Sequence, residues 1–401
     1  MPHVSNRAAE MPASAIRKLV PFSEAAEASG VKVFHLNVGA PDILSPSCAG
    51  SAVIERSKSA HHFSYTHSAG LKELRKAMAG KYYNKLGLDV SAEQILITVG
   101  GSEAFAAAMQ IAAGPGDEII VVEPFYTNYQ TFAFLNGITL KAVHSDIRNN
   151  FSVPDISSFE TLLSPATRAV LLSNPCNPSG KLFTREEMMA IGGFCRKHDL
   201  FLICDEVYRE FCYTNDPFFS ALEIPGCEQN VILVDSVSKR YNLCGARIGC
   251  IVSRNLEVMQ CALKFAQSRL CPPVLGQYAA LGALDTPESY FQEVRAEYIR
   301  RRDCTMDLLN KIPGVYSPVP YGAFYTVAEL PVPDTEVFAK WLLTDFRIDG
   351  ETLMITPAAS FYKTPGEGRN QARIAYVLEV PLLKRAMNIL SEALKEYRQN
   401  V

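Results

Sequence analysis

Short, nearly continuous apolar runs recur between about residues 90 and 255 of the chain. Runs without polar alternation are typical of strands that are buried on both faces. Segments of helical length and composition, such as 102–113 and 184–197, lie between several of the runs. Strands that alternate with helices predict an α/β fold in which a mainly parallel sheet is flanked by helices. The apolar runs are residues 95–99, 118–122, 169–172, 200–204, 231–235 and 248–252.

The pattern changes after Pro287. A long stretch with helical spacing continues to about residue 311, and residues 316–326 and 352–355 are candidate strands. A closing amphipathic helix is predicted from about Leu382. These elements indicate a second, smaller unit of the α+β class. Two domains also suit the length of 401 residues, because single hydrophobic cores stop growing at about 250 to 300 residues.

Composition and charge narrow the classes of function. Hydrophobic residues make up 48% of the chain and charged residues 20%, which is typical of globular proteins. The net charge of −3 gives no electrostatic reason to expect a nucleic acid or an anionic membrane as a partner. No apolar run approaches the roughly 18 residues of a membrane span, and no apolar stretch of signal-peptide length begins the chain, so we expect a cytoplasmic protein. The eleven cysteines include no C-x-x-C pair, which favours reduced thiols over a metal site or a redox motif.

Polar residues follow the apolar runs at the places where a ligand would bind. In a parallel α/β sheet, ligands lie beyond the carboxyl ends of the strands. After the first run, the residues Gly100 to Glu103 lead at once into a helix. A glycine-rich helix start attracts phosphate through its free N–H groups and its dipole. The same pattern also suits an ordinary strand-to-helix connection that is capped by Ser102.

Three further apolar runs are followed by reactive side chains or by a rigid segment that contains two Asn-Pro pairs. Residues 174–180 read N-P-C-N-P-S-G, residues 205–208 read D-E-V-Y and residues 236–239 read S-V-S-K. Taken singly, these could be a rigid turn, a solvated acid pair beside a tyrosine, and a solvated lysine, Lys239, that pairs with Asp235. Together they favour a pyridoxal phosphate site. That cofactor needs an amine to form a Schiff base, an acid to keep its ring nitrogen protonated and a cradle for its phosphate.

With these motifs the chain resembles the class I/II aminotransferases of the fold type I pyridoxal phosphate enzymes, the superfamily that includes aspartate aminotransferase. The resemblance extends from residues 37–42, N-V-G-A-P-D, to residues 373–376, R-I-A-Y. Between them, N-P-x-N-P-S-G, D-E-V-Y, S-x-S-K and G-A-R-I-G occur in family order at family-like spacings. We expect a large cofactor-binding domain, residues 46–285, and a small domain built from both chain ends, residues 1–45 and 286–401.

The resemblance implies roles for four residues at the centre of the site. Lys239 matches the lysine that forms the Schiff base and moves the proton at the substrate Cα, which requires a depressed pKa. Asp205 matches the partner of the pyridine nitrogen, which makes the ring an electron sink. Asn177 and Tyr208 match the residues that hydrogen-bond the phenolic oxygen of the ring.

The resemblance also places residues around the cofactor and the substrate. Tyr126 matches the aromatic side chain that stacks on the ring, although the neighbouring Phe125 is a rival from sequence alone. Arg373 matches the arginine that clamps the substrate α-carboxylate, and Gly39 would add a backbone contact. Tyr65 matches a tyrosine that reaches the phosphate of a neighbouring subunit, which implies a homodimer with shared active sites. The expected phosphate ligands within the subunit are Gly101, Ser102, Ser236 and Arg247.

Several positions depart from the family pattern. Ser102 stands where some relatives have a lysine that reads a second substrate carboxylate, so that route to dicarboxylate specificity is absent. Arg269 is a candidate substitute, and a structural role for it is equally open. Cys176 and Cys244 stand where the family has variable or small residues, and a packing role is favoured over a redox role.

We therefore expect an aminotransferase that moves an amino group between an amino acid and a 2-oxo acid, with aspartate or glutamate and 2-oxoglutarate as default substrates. Aromatic or other neutral amino acids are alternatives, because side-chain pockets depend on loops. The same fold and cofactor also support lyases and synthases that act at Cα or Cβ, since orientation decides which bond breaks. A ligand-sensing module without catalysis is disfavoured by the retained Lys239.

Overall fold

The computed structural model of the protein describes residues 2–12, 14, 16–59 and 62–400. None of the helices in this part of the chain is both long enough and apolar enough to cross a membrane. The helices are α1 (Asn6–Glu10), α2 (Val20–Ala28), α3 (Ser47–Ser59), α4 (Lys72–Ala77), α5 (Gly100–Ala112), α6 (Asn128–Asn136), α7 (Ile156–Glu160), α8 (Arg185–Lys197), α9 (Val237–Arg240), α10 (Leu256–Ser268), α11 (Val274–Ala283), α12 (Glu288–Leu309), α13 (Thr335–Thr344) and α14 (Val380–Asn400). The strands are β1 (Lys32–His35), β2 (Ile95–Thr98), β3 (Glu118–Glu123), β4 (Thr139–His144), β5 (Thr167–Ser173), β6 (Phe201–Asp205), β7 (Val231–Ser236), β8 (Gly249–Val252), β9 (Tyr325–Glu329), β10 (Glu351–Met354), β11 (Thr356–Pro357) and β12 (Gln371–Ala375).

The largest sheet contains its strands in the order β2-β8-β7-β6-β5-β3-β4. Neighbouring strands from β4 through β7 are parallel, and β8 is antiparallel to both β7 and β2. Every apolar run of the sequence coincides with a strand of this sheet. The predicted α/β fold with a mainly parallel sheet is confirmed.

The strand β4 was not among the predicted strands. It lies at the edge of the sheet, where Thr139 and His144 are exposed and only Leu140 and Val143 are buried. An edge strand needs no continuous apolar run, because one of its sides faces solvent. The signal that found the central strands is therefore missing here.

Both faces of the large sheet are covered by helices. Neighbouring residues of a strand point to opposite faces, and in β3 Ile120 packs in one core cluster with Phe194 of α8. Val121 packs in another cluster with Ala108 of α5. Strands that are buried on both faces read as unbroken apolar runs, which is why the sequence located them well.

Two smaller sheets lie outside the large one. The antiparallel sheet has the order β11-β12-β9, and β1 pairs in parallel with β10. The predicted strand 316–326 is wrong over most of its length, since β9 begins only at Tyr325. Pro318 and Pro320 precede it and have no backbone N–H to donate to a ladder. The β1–β10 pair joins the two ends of the chain, while the domain boundaries at residues 45 and 285 stay a prediction.

Candidate active site

A cavity of about 820 Å³ opens at the carboxyl ends of the parallel strands. The strands β6 and β7 end at Asp205 and Ser236, which both line it. Gly39, which follows β1, and Arg373, on β12, also line the cavity, so the two smaller sheets contribute to its wall as well. The sequence-predicted residues that line the cavity are Gly39, Gly101, Ser102, Tyr126, Asn177, Asp205, Tyr208, Ser236, Lys239, Arg247 and Arg373.

Lys239 lies in α9, a single helical turn that Ser236 caps by accepting a hydrogen bond from the N–H of Ser238. Its Nζ donates to the carbonyl oxygen of Gly39 at 2.7 Å and lies 3.8 Å from Sγ of Cys244. Burial lowers the pKa of Lys239, because the cavity wall withholds water from the charged ammonium. A lowered pKa favours the neutral amine, which is the form that acts as a nucleophile or base.

Lys239 does not pair with Asp235. Asp235 accepts hydrogen bonds from Nη2 of Arg240 at 2.7 Å and from the hydroxyl of Tyr83 at 2.9 Å. Side chains alternate between the two faces of a strand, and Asp235 precedes Ser236, the residue of β7 that lines the cavity. The interpretation of Lys239 as a partner of Asp235 is therefore wrong.

Asp205 is a buried carboxylate with neutral hydrogen-bond donors. Its side chain accepts from the hydroxyl of Tyr129 at 2.8 Å and from the N–H of Val207 at 3.2 Å. Within the described part of the chain it forms no ion pair with a lysine, arginine or histidine. Burial outweighs the two donors and raises the pKa of Asp205 to about 7. A cationic N–H group in the cavity would find here a carboxylate with no competing cation.

Tyr208 and Gly39 are linked through Tyr325. The hydroxyl groups of Tyr208 and Tyr325 lie 3.0 Å apart, and burial raises the pKa of Tyr325 to about 12 and that of Tyr208 well above its ordinary value. Both phenols therefore remain protonated donors at neutral pH. A Cβ at position 39 would lie 2.0 Å from the hydroxyl oxygen of Tyr325, so only glycine allows this approach.

The start of α5 presents free backbone donors to the cavity. The first N–H groups of a helix have no partner within it, and Gly101 and Ser102 supply two of them. The guanidinium of Arg247 lies against this turn, since a Cβ on Gly100 would come within 2.3 Å of its Nη2. Gly100 also has a φ of 74°, which favours glycine. A helix start beside an arginine can hold a phosphate.

Arg373 is buried, with 2% of its surface exposed. It donates from Nη1 to the side-chain oxygen of Asn177 at 3.0 Å and from Nη2 to the carbonyl oxygen of Asn37 at 2.7 Å. Its guanidinium carbon lies 4.5 Å from the ring centroid of Tyr325. Nε of Arg373 and the side-chain oxygen of Asn37 have no hydrogen-bond partner among the described residues. This unpartnered donor on a fixed cation is suited to an incoming carboxylate.

Tyr126 and Phe125 differ clearly in position. Tyr126 is half-buried and lines the cavity, and its ring meets that of Tyr129 edge to face at 5.6 Å. Phe125 is buried in the core of the large sheet. Of the two rivals, Tyr126 is the one that a ring in the cavity would contact.

Tyr65 is the predicted site residue that lies away from the cavity. It is 78% exposed on the surface of the subunit. Arg269 is also absent from the cavity lining. Its Nε donates to Glu103 at 2.8 Å and its Nη2 to the carbonyl oxygen of Ile97 at 2.7 Å. These contacts give Arg269 a structural role.

The cysteines near the site are free thiols, as are all eleven in the chain. Cys176 is buried, and burial raises its pKa. Cys244 donates from Sγ to the carbonyl oxygen of Ser238 at 3.1 Å.

Sequence reasoning missed four residues of this site. Tyr129 lies behind the cavity wall and reaches the site only through its hydrogen bond to Asp205, a contact that the sequence does not signal. Asn37 opens the motif that also contains Gly39, but its contact with a residue more than 300 positions away leaves no local signal. The four are Arg17, Asn37, Tyr129 and Tyr325.

Comparisons with known proteins agree on one family. A family model described as aminotransferase class I and II matches residues 31–388. The chain is 30% identical over 389 residues to the putative aminotransferase YugH of Bacillus subtilis (strain 168), covering 96% of each protein. It is 29% identical over 393 residues to an aspartate aminotransferase of Thermotoga maritima, covering 98% of this chain and 99% of the relative. Its structure matches an aspartate aminotransferase from Thermus thermophilus with maleate at a TM-score of 0.89 and 26% identity, over 98% of this chain and 100% of that one.

Proposed function

Because the chain belongs to the class I and II aminotransferase family, we propose that its cavity binds pyridoxal 5′-phosphate and that this aminotransferase uses it to exchange an amino group between an amino acid and a 2-oxo acid. The observation that carries the proposal is one cavity with a buried amine of lowered pKa, Lys239, and a buried carboxylate, Asp205, that pairs with no cation among the described residues. When bound, the cofactor supplies an aldehyde that condenses with amines and a ring that accepts the electrons of a breaking bond at Cα.

The polar groups around Asp205 fit the ring of this cofactor. A protonated pyridine nitrogen would offset the cost of burying the Asp205 carboxylate, which the hydrogen bond from Tyr129 already orients. Tyr126 lines the cavity and would stack on the ring. Asn177 and Tyr208 carry donors for the phenolic oxygen. The residues present therefore match the chemical groups that the ring exposes.

The helix start at α5 fits the phosphate. Gly101 and Ser102 would donate their N–H groups, and Ser236 would add its hydroxyl. Arg247 would provide a planar, charged donor for a doubly charged group. Gly100 keeps the space for the Arg247 guanidinium open.

Lys239 is the proposed nucleophile and base. Its Nζ would move the proton from the substrate Cα to the C4′ carbon of the cofactor, and back in the opposite direction of the exchange. The carbonyl oxygen of Gly39 holds Nζ at 2.7 Å and so limits where the amine can swing. The charges of Arg373 and Arg247 add to burial in lowering the pKa of Lys239.

Arg373 is the proposed clamp for the substrate α-carboxylate. Its unpartnered Nε and its Nη atoms offer a bidentate site, and Asn177 and the backbone of Gly39 border it. We propose aspartate or glutamate as donor and 2-oxoglutarate as acceptor, as the names of several relatives suggest. Aromatic and other neutral amino acids are the alternatives that a substrate panel would reveal.

A homodimer with shared sites is part of the proposal. Tyr65 lies on the surface with 78% of its area exposed, where it could reach the phosphate of a partner subunit. The eleven free thiols agree with a cytoplasmic location, since that compartment keeps cysteines reduced.

The test is a half-reaction. An amino acid added without an oxo acid should bleach the absorbance band of the bound cofactor, and 2-oxoglutarate should restore it. Lys239→Ala should abolish both changes, while Lys264→Ala, at an exposed lysine of α10, should preserve them. A band that persists with every amino acid of a broad panel would reject the proposal, and ammonia released without a second substrate would assign a lyase instead.

A further inference from the structure

Arg17 is a cation in the cavity wall that the proposed function leaves without a role. It lies in the turn before α2 and lines the cavity together with Tyr126. The turn is held by a hydrogen bond from the N–H of Arg17 to the carbonyl oxygen of Ser14 and by another from Val20 to Arg17, both 3.0 Å long. The side chain of Arg17 is exposed and makes no hydrogen bond or ion pair with another residue of the described chain.

The charge of Arg17 acts inside the cavity. Burial raises the pKa of Tyr126, and the charges of Arg373, Arg17 and Arg247 oppose that rise. The guanidinium of Arg17 is therefore near enough to the phenol to act on it together with the two arginines that already have proposed roles.

The remaining cations of the cavity are occupied. Lys239 is held by Gly39 and acts as a neutral amine in the proposed reaction. Arg247 faces the helix start where the phosphate would bind, and Arg373 is fixed by Asn177 for the α-carboxylate. Among the described lining residues, Arg17 is the arginine that would still lack an anion after the phosphate and one carboxylate have bound.

Neither other candidate for reading a second carboxylate can do so. Ser102 carries no charge. Arg269 donates to Glu103 and to the carbonyl oxygens of Ile97 and Ser68, and it does not line the cavity.

We propose that Arg17 binds the side-chain carboxylate of dicarboxylic substrates and so determines the specificity of this site. The inference rests on the proposed function, because it takes Arg373 as the clamp for the α-carboxylate. A charge-assisted bond to a planar guanidinium would discriminate aspartate, glutamate and 2-oxoglutarate from neutral substrates.

The test compares Arg17→Gln and Arg17→Lys with Lys18→Gln in the cofactor-loaded enzyme. Lys18 is the matched control because it is the next residue and its charge pairs with Glu336 outside the cavity. Calorimetry measures the binding of two unreactive ligands, succinate with two carboxylates and propionate with one. Arg17→Gln should weaken succinate binding by about tenfold to a hundredfold and leave propionate binding within about twofold, and Arg17→Lys should recover part of the loss.

Substrate kinetics provide the second measurement. Arg17→Gln should lower kcat/KM for aspartate and glutamate by the same factor as succinate affinity, chiefly through KM, while alanine and phenylalanine remain at the parent value. Unchanged succinate binding in Arg17→Gln would overturn the inference, as would an equal loss in Lys18→Gln or a larger loss for phenylalanine. Failure of the proposed function is distinct, since it would appear in the parent as a lack of exchange with any amino acid.

Discussion

Two buried aspartates lie at the carboxyl ends of neighbouring strands of the large sheet, Asp205 as the last residue of β6 and Asp235 as the last but one of β7, and they have opposite surroundings. Asp235, in β7, is 0% exposed and is neutralised by Arg240 with further support from Tyr83. Asp205, in β6, is 3% exposed and, within the described part of the chain, accepts hydrogen bonds only from the neutral donors Tyr129 and Val207. An aspartate thus pairs with a buried cation in one strand, whereas in the neighbouring strand the aspartate has neutral donors alone.

The different surroundings of Asp235 and Asp205 give one of them a role in stability and the other a role in function. A buried charge that has its partner resists change, because removing the partner leaves the other charge uncompensated. A buried charge without its partner costs stability until a ligand supplies the missing cation. We therefore expect Asp235 to matter for folding and Asp205 to matter for the reaction.

The largest effect is expected for Asp235→Ala. The substitution leaves the buried Arg240 without its closest anion, so the free energy of unfolding should fall by about 3 to 5 kcal/mol. Urea denaturation measures this loss. Asp349→Ala is the control, because Asp349 pairs with Arg385 at the surface and should cost less than about 1 kcal/mol. Equal losses in the two variants would contradict the distinction.

Asp205→Ala should show the reverse pattern. Without the carboxylate that favours a charged ring nitrogen, kcat/KM should fall by about a hundredfold to a thousandfold. The stability of the cofactor-free protein should not fall, because the substitution removes an uncompensated buried acid. Steady-state kinetics and urea denaturation on the same preparation separate these effects, and full activity in this variant would remove Asp205 from the proposed machinery.

The stability of the cofactor-free protein should depend on pH through Asp205. Its folded pKa of about 7 lies above its ordinary value of 3.8, so the folded state holds this proton more tightly than the unfolded state. The free energy of unfolding should therefore decline as pH rises from about 4 to about 7, by up to about 1.4 kcal/mol per pH unit from this group. Asp205→Asn should remove that contribution. Parallel slopes for parent and variant across this range would show that Asp205 is not protonated.

The smallest expected effect comes from the hydroxyl groups that hold the two carboxylates. Tyr129→Phe removes a donor that favours ionised Asp205 and should lower kcat/KM by roughly fivefold, as expected for about 1 kcal/mol. Tyr83→Phe removes the matching donor from Asp235 and should cost about 1 kcal/mol of stability without a change in kcat/KM. If both variants lost activity equally, the two aspartates would not be functionally distinct.

The sequence predicted the parts of the molecule that depend on local pattern. The central strands were evident because Ile120 and Val121, like their neighbours, face opposite covered sides. The edge strand β4 and the Pro-containing residues before β9 lacked that signal. The same limit applies to Asp205 and Asp235, which look alike in sequence and differ only in what the folded chain places beside them.

The residues of the site fall into the same two groups. Those at or just beyond the carboxyl end of a strand, such as Asp205 and Lys239, could be located from the pattern, and the family resemblance extended the set to Arg373 and Gly39. Tyr325 and Asn37 could not be found, because their roles arise from contacts across distant parts of the chain. The reach of Tyr65 into a partner subunit stays a prediction.

The pairing of β1 with β10 has a consequence for the order of events during synthesis. Lys32 at the start of β1 lies opposite Glu351. During synthesis β1 therefore has no strand to pair with until β10, near the end of the chain, has been translated. The large sheet, whose strands end at residue 252, can assemble during that wait, since domains generally fold as units while the chain emerges. Gly39 follows β1 by four residues and accepts the hydrogen bond from Lys239, so we expect this contact to form together with the β1–β10 pair. A nascent chain would therefore acquire its scaffold well before its reactive amine is enclosed.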